Sequence, residues 1–188
     1  MKLGRAAKTQ LAELISRAVP LEGDFFRSVA FRHFHPDDVV SGEGTRLHGG
    51  RFVPPGIPAV YASLEEETAL REANARKSML RGKGHVELRD YPRMTYILRI
   101  ATQRNLDLSI RLLPDLQNVL ARSLRRGDHA ASQALAGIWI EAGIESVVFP
   151  SATGSGRNIV VYLANAGTGN VMVHNRAAVL AALRRERP

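Results

Sequence analysis

Cysteine is absent from the 188 residues. That excludes a disulfide framework, a thiolate metal centre and a cysteine nucleophile. Aromatics make up only 6% of the chain, with a single tryptophan, Trp139. So sparse a set is not the interleaving of bases and rings that a nucleic-acid stacking surface needs. Lysine is also scarce, since 22 of the 26 basic residues are arginine. No apolar run approaches the ~20 residues required to span a bilayer. The opening Met1-Lys2-Leu3-Gly4-Arg5 is basic but lacks the apolar stretch of a signal peptide. The expectation is therefore a cytoplasmic, non-membrane protein.

What remains is an ordinary globular composition, 45% apolar and 23% charged, with a net charge of +8. At roughly 100–200 residues per domain, the length implies one domain. The charge suits an anionic partner: a phosphorylated small molecule, an acidic protein surface or nucleic acid. The arginines are scattered from Arg5 to Arg187, however, and direct nucleic-acid binding is not expected.

Hydrophobic periodicity predicts a helix over Ala6–Ala18, with Leu11, Leu14, Ile15 and Ala18 on one stripe, ended by Pro20 and Gly23. Phe25–Phe34 reads as a strand. Ser41–Pro58 holds five glycines and three prolines in eighteen residues and reads as a long loop. Ala59–Ala62 is a short buried strand. Ser63 and Glu66 form a capping box for a helix reaching about Lys77. A strand over Thr95–Ala101 alternates, and Asp115–Leu124 looks helical. Asp128 caps a helix that Gly143 ends after Ala142. Strands follow at Val147–Phe149, Ile159–Leu163 and Val171–His174, and Asn175 caps a last helix. The pattern is a mixed α/β (α+β) domain, without the strict alternation of a doubly wound fold.

Several residues can carry chemistry. Gly49-Gly50 permit close backbone approach to a ligand, and Arg51 after them offers a fork to phosphate or carboxylate. Glu72 shares a helix face with Thr68, Ala69, Ala73 and Arg76. A carboxylate on such a small-residue face needs a partner if buried, and Arg51 or Arg32 can supply one. The loop Pro150–Asn158 carries hydroxyls and glycines that can cradle an anion or an amide, without the Gly-Lys-Ser/Thr of a Walker loop. His33, His35, Asp37 and Asp38 raise a metal reading. Zinc needs three or four convergent ligands, nothing nearby supplies the rest, and no metal is expected. Ser151 lacks the Gly-x-Ser-x-Gly elbow of a serine hydrolase.

Taken in order, Ser41-Gly42-Glu43-Gly44, Gly49-Gly50-Arg51, Pro54-Pro55-Gly56-Ile57-Pro58-Ala59-Val60-Tyr61, Thr68-Ala69-Leu70-Arg71-Glu72, Ser132-Gln133-Ala134-Leu135, Phe149-Pro150-Ser151 and Gly156-Arg157-Asn158-Ile159-Val160 resemble the RES domain family. The blocks span residues 26–163 of a single 1–188 domain and leave 1–19 as an N-terminal helical extension. The resemblance implies a fold similar to ADP-ribosyltransferase toxins. It also implies a toxin of a bacterial toxin–antitoxin pair that degrades NAD by hydrolysis or phosphorolysis of the nicotinamide–ribose bond. NAD is then substrate rather than cofactor, and phosphate a candidate co-substrate. The implied partner is an Xre-type DNA-binding antitoxin, with a homo-oligomer within the complex as one arrangement. Transfer of ADP-ribose to a protein, or a non-catalytic nucleotide-binding module, are the alternatives.

By resemblance, Glu72, Arg51, Tyr61 and Ser151 are the catalytic set. Arg32, His33, Arg51, Tyr61, Ser151 and Asn158 hold the substrate, with Arg27 as another register for Arg32. Phe52-Val53 stand where the family usually has Trp-Asn, which removes an asparagine side chain from the expected site.

Overall fold

The computed structural model describes residues 5–30, 33, 35–82, 93–109 and 129–185. Seven helices and six strands are described, in the order α1 (Arg5–Ser16), β1 (Val19–Ala30), α2 (Pro36–Val40), α3 (Glu43–His48), β2 (Ala59–Ser63), α4 (Glu66–Gly82), β3 (Arg93–Asp107), α5 (Ala130–Glu141), β4 (Ser146–Pro150), β5 (Arg157–Tyr162), α6 (Leu163–Ala166), β6 (Val171–Val173) and α7 (Arg176–Arg185). A single 3₁₀ turn, Thr168–Asn170, lies between α6 and β6. The expected mixed α/β class is what forms.

All six strands join one sheet in the order β1-β2-β5-β4-β3-β6. β1 also pairs along its length with β3, from Val19↔Asn105 to Ala30↔Arg93. The circuit β1-β2-β5-β4-β3 therefore closes on itself like a barrel, with β6 laid on β3 at Leu98–Ile100. The seam is narrow, because β1 and β2 share only the pair Phe26↔Ser63. Arg27 widens it by donating from Nη1 to the Tyr61 carbonyl at 2.9 Å. The one parallel pairing among the described strands is β3–β4, and α5 lies within its crossover.

The strands β2, β4 and β5 read as unbroken apolar runs because both of their faces are covered. On one face Ala59, Val147, Phe149, Val160 and Tyr162 pack under Leu135, Ala136 and Trp139 of α5 and Leu11 of α1. On the other, Val60, Ala62, Val148, Ile159 and Val161 pack with Phe25, Leu98 and Ile100, and with Val39 of α2. The N-terminal helix thus belongs to the same core as the RES-like blocks: Leu11 is buried, with Leu14, Ile15 and Ala18 beside it. β3 alternates as expected, with Tyr96, Leu98 and Ile100 buried and Ile97 exposed.

Four expectations are corrected. β1 begins at Val19, so Pro20 and Gly23 lie inside a strand rather than in a helix terminus. A register shift between Val19 and Leu21 absorbs Pro20, which has no N–H to give the ladder. Ser41–Pro58 is not a structureless loop, for it contains α3 and a tight Gly50↔Val53 bridge. Ser63 is the last residue of β2 rather than a helix cap; α4 starts at Glu66, and the Glu65 carboxylate receives the Thr68 hydroxyl at 3.1 Å. α4 also runs on to Gly82, beyond Lys77. Gly143 ends α5 as expected, in the left-handed region at φ 77°. The expected helix over Asp115–Leu124, and the cap at Asp128, fall outside the described residues. No described helix is long and apolar enough to cross a membrane.

Candidate active site

The row Ser63–Asn158–Phe149 crosses β2, β5 and β4, and the next row is Tyr61–Val160–Val147. Alternation places all six side chains on the face that α5 covers. The apolar packing of that face ends at Ser63 and Asn158, both buried, and the site begins there.

Glu72 reaches this end from α4. Its Oε1 accepts three hydrogen bonds: from Ser151 Oγ at 2.5 Å, from Asn158 Nδ2 at 2.8 Å and from the Ala152 N–H at 3.3 Å. Among the described residues none falls on Oε2. Ser63 Oγ donates to Asn158 Oδ1 at 2.7 Å, which fixes the amide so that its NH2 faces Glu72. Ser151 has one hydroxyl proton, and the short bond gives it to Glu72. Thr153 must then donate to Ser151 Oγ at 2.9 Å, as its own N–H does at 3.0 Å.

The loop that brings Ser151 is pinned from behind. Gly156 lies so close to α4 that a Cβ there would come within 1.8 Å of Thr68 Oγ1. The Arg157 N–H donates to Glu65 at 3.1 Å, and the Ser151 N–H to the Gly156 carbonyl at 2.8 Å. The hydroxyls and glycines of this loop therefore serve the protein's own carboxylate rather than forming an open anion cradle.

Arg51 sits at the tip of a tight turn closed by Gly50 N–H to Val53 O at 2.8 Å. Its guanidinium carbon lies 5.7 Å from the centroid of Phe149 and 6.0 Å from that of Phe52, within cation–π range. Burial lowers its pKa, and the negative charge of Glu72 acts in the opposite direction. Arginine's reference value is so high that the group stays charged. Arg51 and Glu72 thus feel each other across a gap and form no contact ion pair, which corrects the expectation that one neutralises the other directly. Among the described residues the Arg51 guanidinium has no hydrogen-bond partner. A half-buried cation with its donors unspent is suited to an anionic ligand.

Tyr61 stands edge-on to Phe149, 6.2 Å between centroids, and its hydroxyl accepts from the Phe52 N–H at 2.9 Å. A Cβ at Gly50 would meet this hydroxyl at 2.7 Å. Gly49 has φ 65° and ends α3. The paired glycines thus make room for the protein's own tyrosine and turn, not for a ligand. Phe52 is buried, 4.7 Å from Phe149 and 5.9 Å from Trp139 between centroids. Val53 is fully buried as well. The Phe-Val departure therefore falls in the core beneath the site.

Five of the predicted residues, Glu72, Ser151, Asn158, Arg51 and Tyr61, are brought together around Phe149. Arg32 lies outside the described residues. His33 is exposed and, among the described residues, hydrogen-bonds to none of the five. Arg27 is spent on the strand seam. His35 accepts the Asp37 N–H at the start of α2, and Asp37 pairs with Arg176 at 2.7 Å, so these two residues of the metal reading serve α2 and its link to α7. Among the described residues no three His, Cys, Asp or Glu side chains are grouped for a metal ion.

Ser63, Thr153 and Phe149 have parts in the site that sequence reasoning did not assign. Ser63 carried a usable signal, since strand alternation from Tyr61 already places it on the same face.

The model of the RES domain family matches residues 25–180. No curated protein sequence matches the chain. Seven chains of solved structures match it. One belongs to the M. tuberculosis MbcT–MbcA toxin–antitoxin complex, with a TM-score of 0.63 at 19% identity over 92% of this chain and 96% of that one. At that identity the likeness is one of fold, whereas the family match covers most of the sequence with its charged and polar blocks included. This chain belongs to the RES domain family.

Proposed function

We propose that the chain is the toxin of a bacterial toxin–antitoxin pair and that it cleaves the nicotinamide–ribose bond of NAD. The observation that carries this reading is the Glu72 carboxylate, held on one oxygen by three neutral donors, near a half-buried Arg51 whose guanidinium has no hydrogen-bond partner among the described residues. Neutral donors fix the carboxylate without cancelling its charge. Such a group is suited to stabilising positive charge that develops in a transition state.

Breaking the nicotinamide–ribose bond does develop that charge. The bonding pair leaves with nicotinamide, which becomes neutral, and the ribose acquires oxocarbenium character. Glu72 Oε2 faces the sugar while Oε1 is held by Ser151, Ala152 and Asn158. Arg51 binds the pyrophosphate through its free donors, and Arg32 keeps the same assignment from the family resemblance. The Tyr61 ring walls in the nicotinamide, its tilt set by the hydroxyl's bond to Phe52 and by the edge contact to Phe149. Water attacks the anomeric carbon and loses a proton, giving ADP-ribose and nicotinamide. Phosphate in its place gives the ribose 1-phosphate ester. No protein nucleophile is needed.

Membership of the RES family supports the toxin role, as does the fold shared with a chain of a toxin–antitoxin complex. The partner is proposed to be an Xre-type antitoxin, with the charge of +8 favouring an acidic surface. A cytoplasmic location follows, since NAD and the antitoxin are met there.

The test is release of nicotinamide from NAD by the purified chain, with and without phosphate, beside Glu72→Gln and Arg51→Ala. Release by the wild type and none by Glu72→Gln supports the enzyme, and acceleration by phosphate selects phosphorolysis. Label transferred from NAD to a protein selects the transferase instead. Intact NAD with a folded wild-type chain overturns the reading.

A further inference from the structure

Every backbone carbonyl of the turn that presents Arg51 accepts a hydrogen bond from a side chain elsewhere in the fold. The Gln133 side-chain amide supplies two of these bonds, Nε2 donating to Gly50 O at 2.8 Å and to Val53 O at 3.3 Å. Ser132 Oγ donates to Arg51 O at 2.5 Å. Tyr162 Oη donates to Phe52 O at 3.1 Å, and is itself held by Trp139 Nε1 at 2.8 Å. Ser132 and Gln133 are consecutive residues in the first turn of α5. Three of the four hairpin carbonyls are thus bolted to a helix about eighty positions away in sequence, with separations of 81 for Ser132 and 83 for Gln133, and the fourth, Phe52 O, to Tyr162 at the end of β5.

The arrangement is asymmetric. The backbone around Arg51 is over-determined, while its guanidinium is bonded to nothing among the described residues. A long side chain without bonds of its own is aimed only through the backbone that carries it and the rings beneath it. Here those rings are Phe149 and Phe52. We propose that Gln133 and Ser132 are positioning residues for an anion site at Arg51, setting where its donors meet the diphosphate of a nucleotide-like ligand. The proposal rests on the reading of Arg51 as a diphosphate ligand.

Because Arg51 binds a part of the substrate remote from the breaking bond, a fault in its placement raises KM and leaves kcat nearly unchanged. A general loosening of the core does the reverse: it lowers Tm and the active fraction, and leaves the KM of the remaining enzyme alone.

The experiment is a double-mutant cycle on the full chain with ADP-ribose as probe, followed by calorimetry. It uses Arg51→Ala, Gln133→Met and the combination, with Ser132→Ala as the gentler second variant in case Gln133→Met does not fold. Expected is a loss of about tenfold in ADP-ribose affinity for Gln133→Met, and a smaller loss for Ser132→Ala. In the Arg51→Ala background neither change should weaken binding further. The KM for NAD should rise in parallel at near-normal kcat. Losses that multiply in the two backgrounds, or unchanged affinity in Gln133→Met and Ser132→Ala while Arg51→Ala loses it, overturn the clamp. Unchanged affinity in Arg51→Ala itself overturns the reading of Arg51, and the clamp's role with it.

Discussion

The two charged groups of the site are held in opposite ways. At Glu72 the side chain is fixed directly, its Oε1 taken by Ser151, Asn158 and the Ala152 N–H. At Arg51 the guanidinium has no hydrogen-bond partner among the described residues, and the backbone beneath it is fixed by Ser132, Gln133 and Tyr162. The difference matches what each must meet. A carboxylate that answers charge developing at one atom gains from being immobile before the reaction. A cation that must form new bonds to a ligand gains from unspent donors on a rigid base. Each half therefore has its own way of failing.

The largest effect is expected at the carboxylate. Glu72→Gln keeps the shape and an oxygen for the three donors but removes the charge. Loss of NAD cleavage by about a thousandfold in kcat is expected, with Tm within a few degrees of wild type. A kcat within tenfold of wild type would remove Glu72 from the chemistry.

Next is the support behind Ser151. Gly156→Ala places a Cβ against Thr68, where no space exists, so the loop must leave α4. Overpacking of this kind costs about 1–3 kcal/mol. A lower Tm together with a lower kcat is expected, and chemical denaturation with steady-state assays reads both. Unimpaired kcat would mean that Ser151 is held without the Gly156 contact.

Arg51→Lys sharpens the contrast, since it keeps the charge and loses the planar fork. An increase of about tenfold in the KM for NAD at near-wild-type kcat is expected. A fall in kcat at constant KM would instead place Arg51 at the reacting bond.

Ser63→Ala should be smallest. It leaves Asn158 Oδ1 unsatisfied in a buried position and frees the amide to turn, at about 1 kcal/mol of stability. A threefold-to-tenfold fall in kcat, on the order of RT ln of that factor, is expected from the misaimed amide. Unchanged kcat would make the Ser63–Asn158 bond purely structural.

The comparison also separates what was legible in the sequence. Glu72 stood out because a carboxylate on a face with Thr68 and Ala69 needs partners, and both of those residues are buried. Arg51 stood out directly after the paired glycines, though the glycines serve Tyr61 and the turn rather than the ligand. The partners themselves were misjudged. Arg51 or Arg32 was expected at Glu72; Arg32 lies outside the described residues, and in place of Arg51 the structure supplies a hydroxyl, an amide and a backbone N–H. Ser63 read as a cap because a serine three residues before a glutamate fits that local pattern. The strand claimed it instead, since pairing with Asn158 extends β2 to its position.

The sequence by itself determined the mixed class, the buried runs of β2, β4 and β5, the alternation of β3, the stop at Gly143 and the family. These depend on period, branching and short blocks, which are local properties of the chain. Only the tertiary structure decided that β1 closes the sheet against β3, that Asn158 turns its NH2 toward Glu72 86 residues away, and that Gln133 grips the carbonyl of Gly50. A hydrogen bond fixes a donor to an acceptor over about 3 Å whatever their separation along the chain. No local pattern encodes which of many hydroxyls and amides the folded core will bring within that reach.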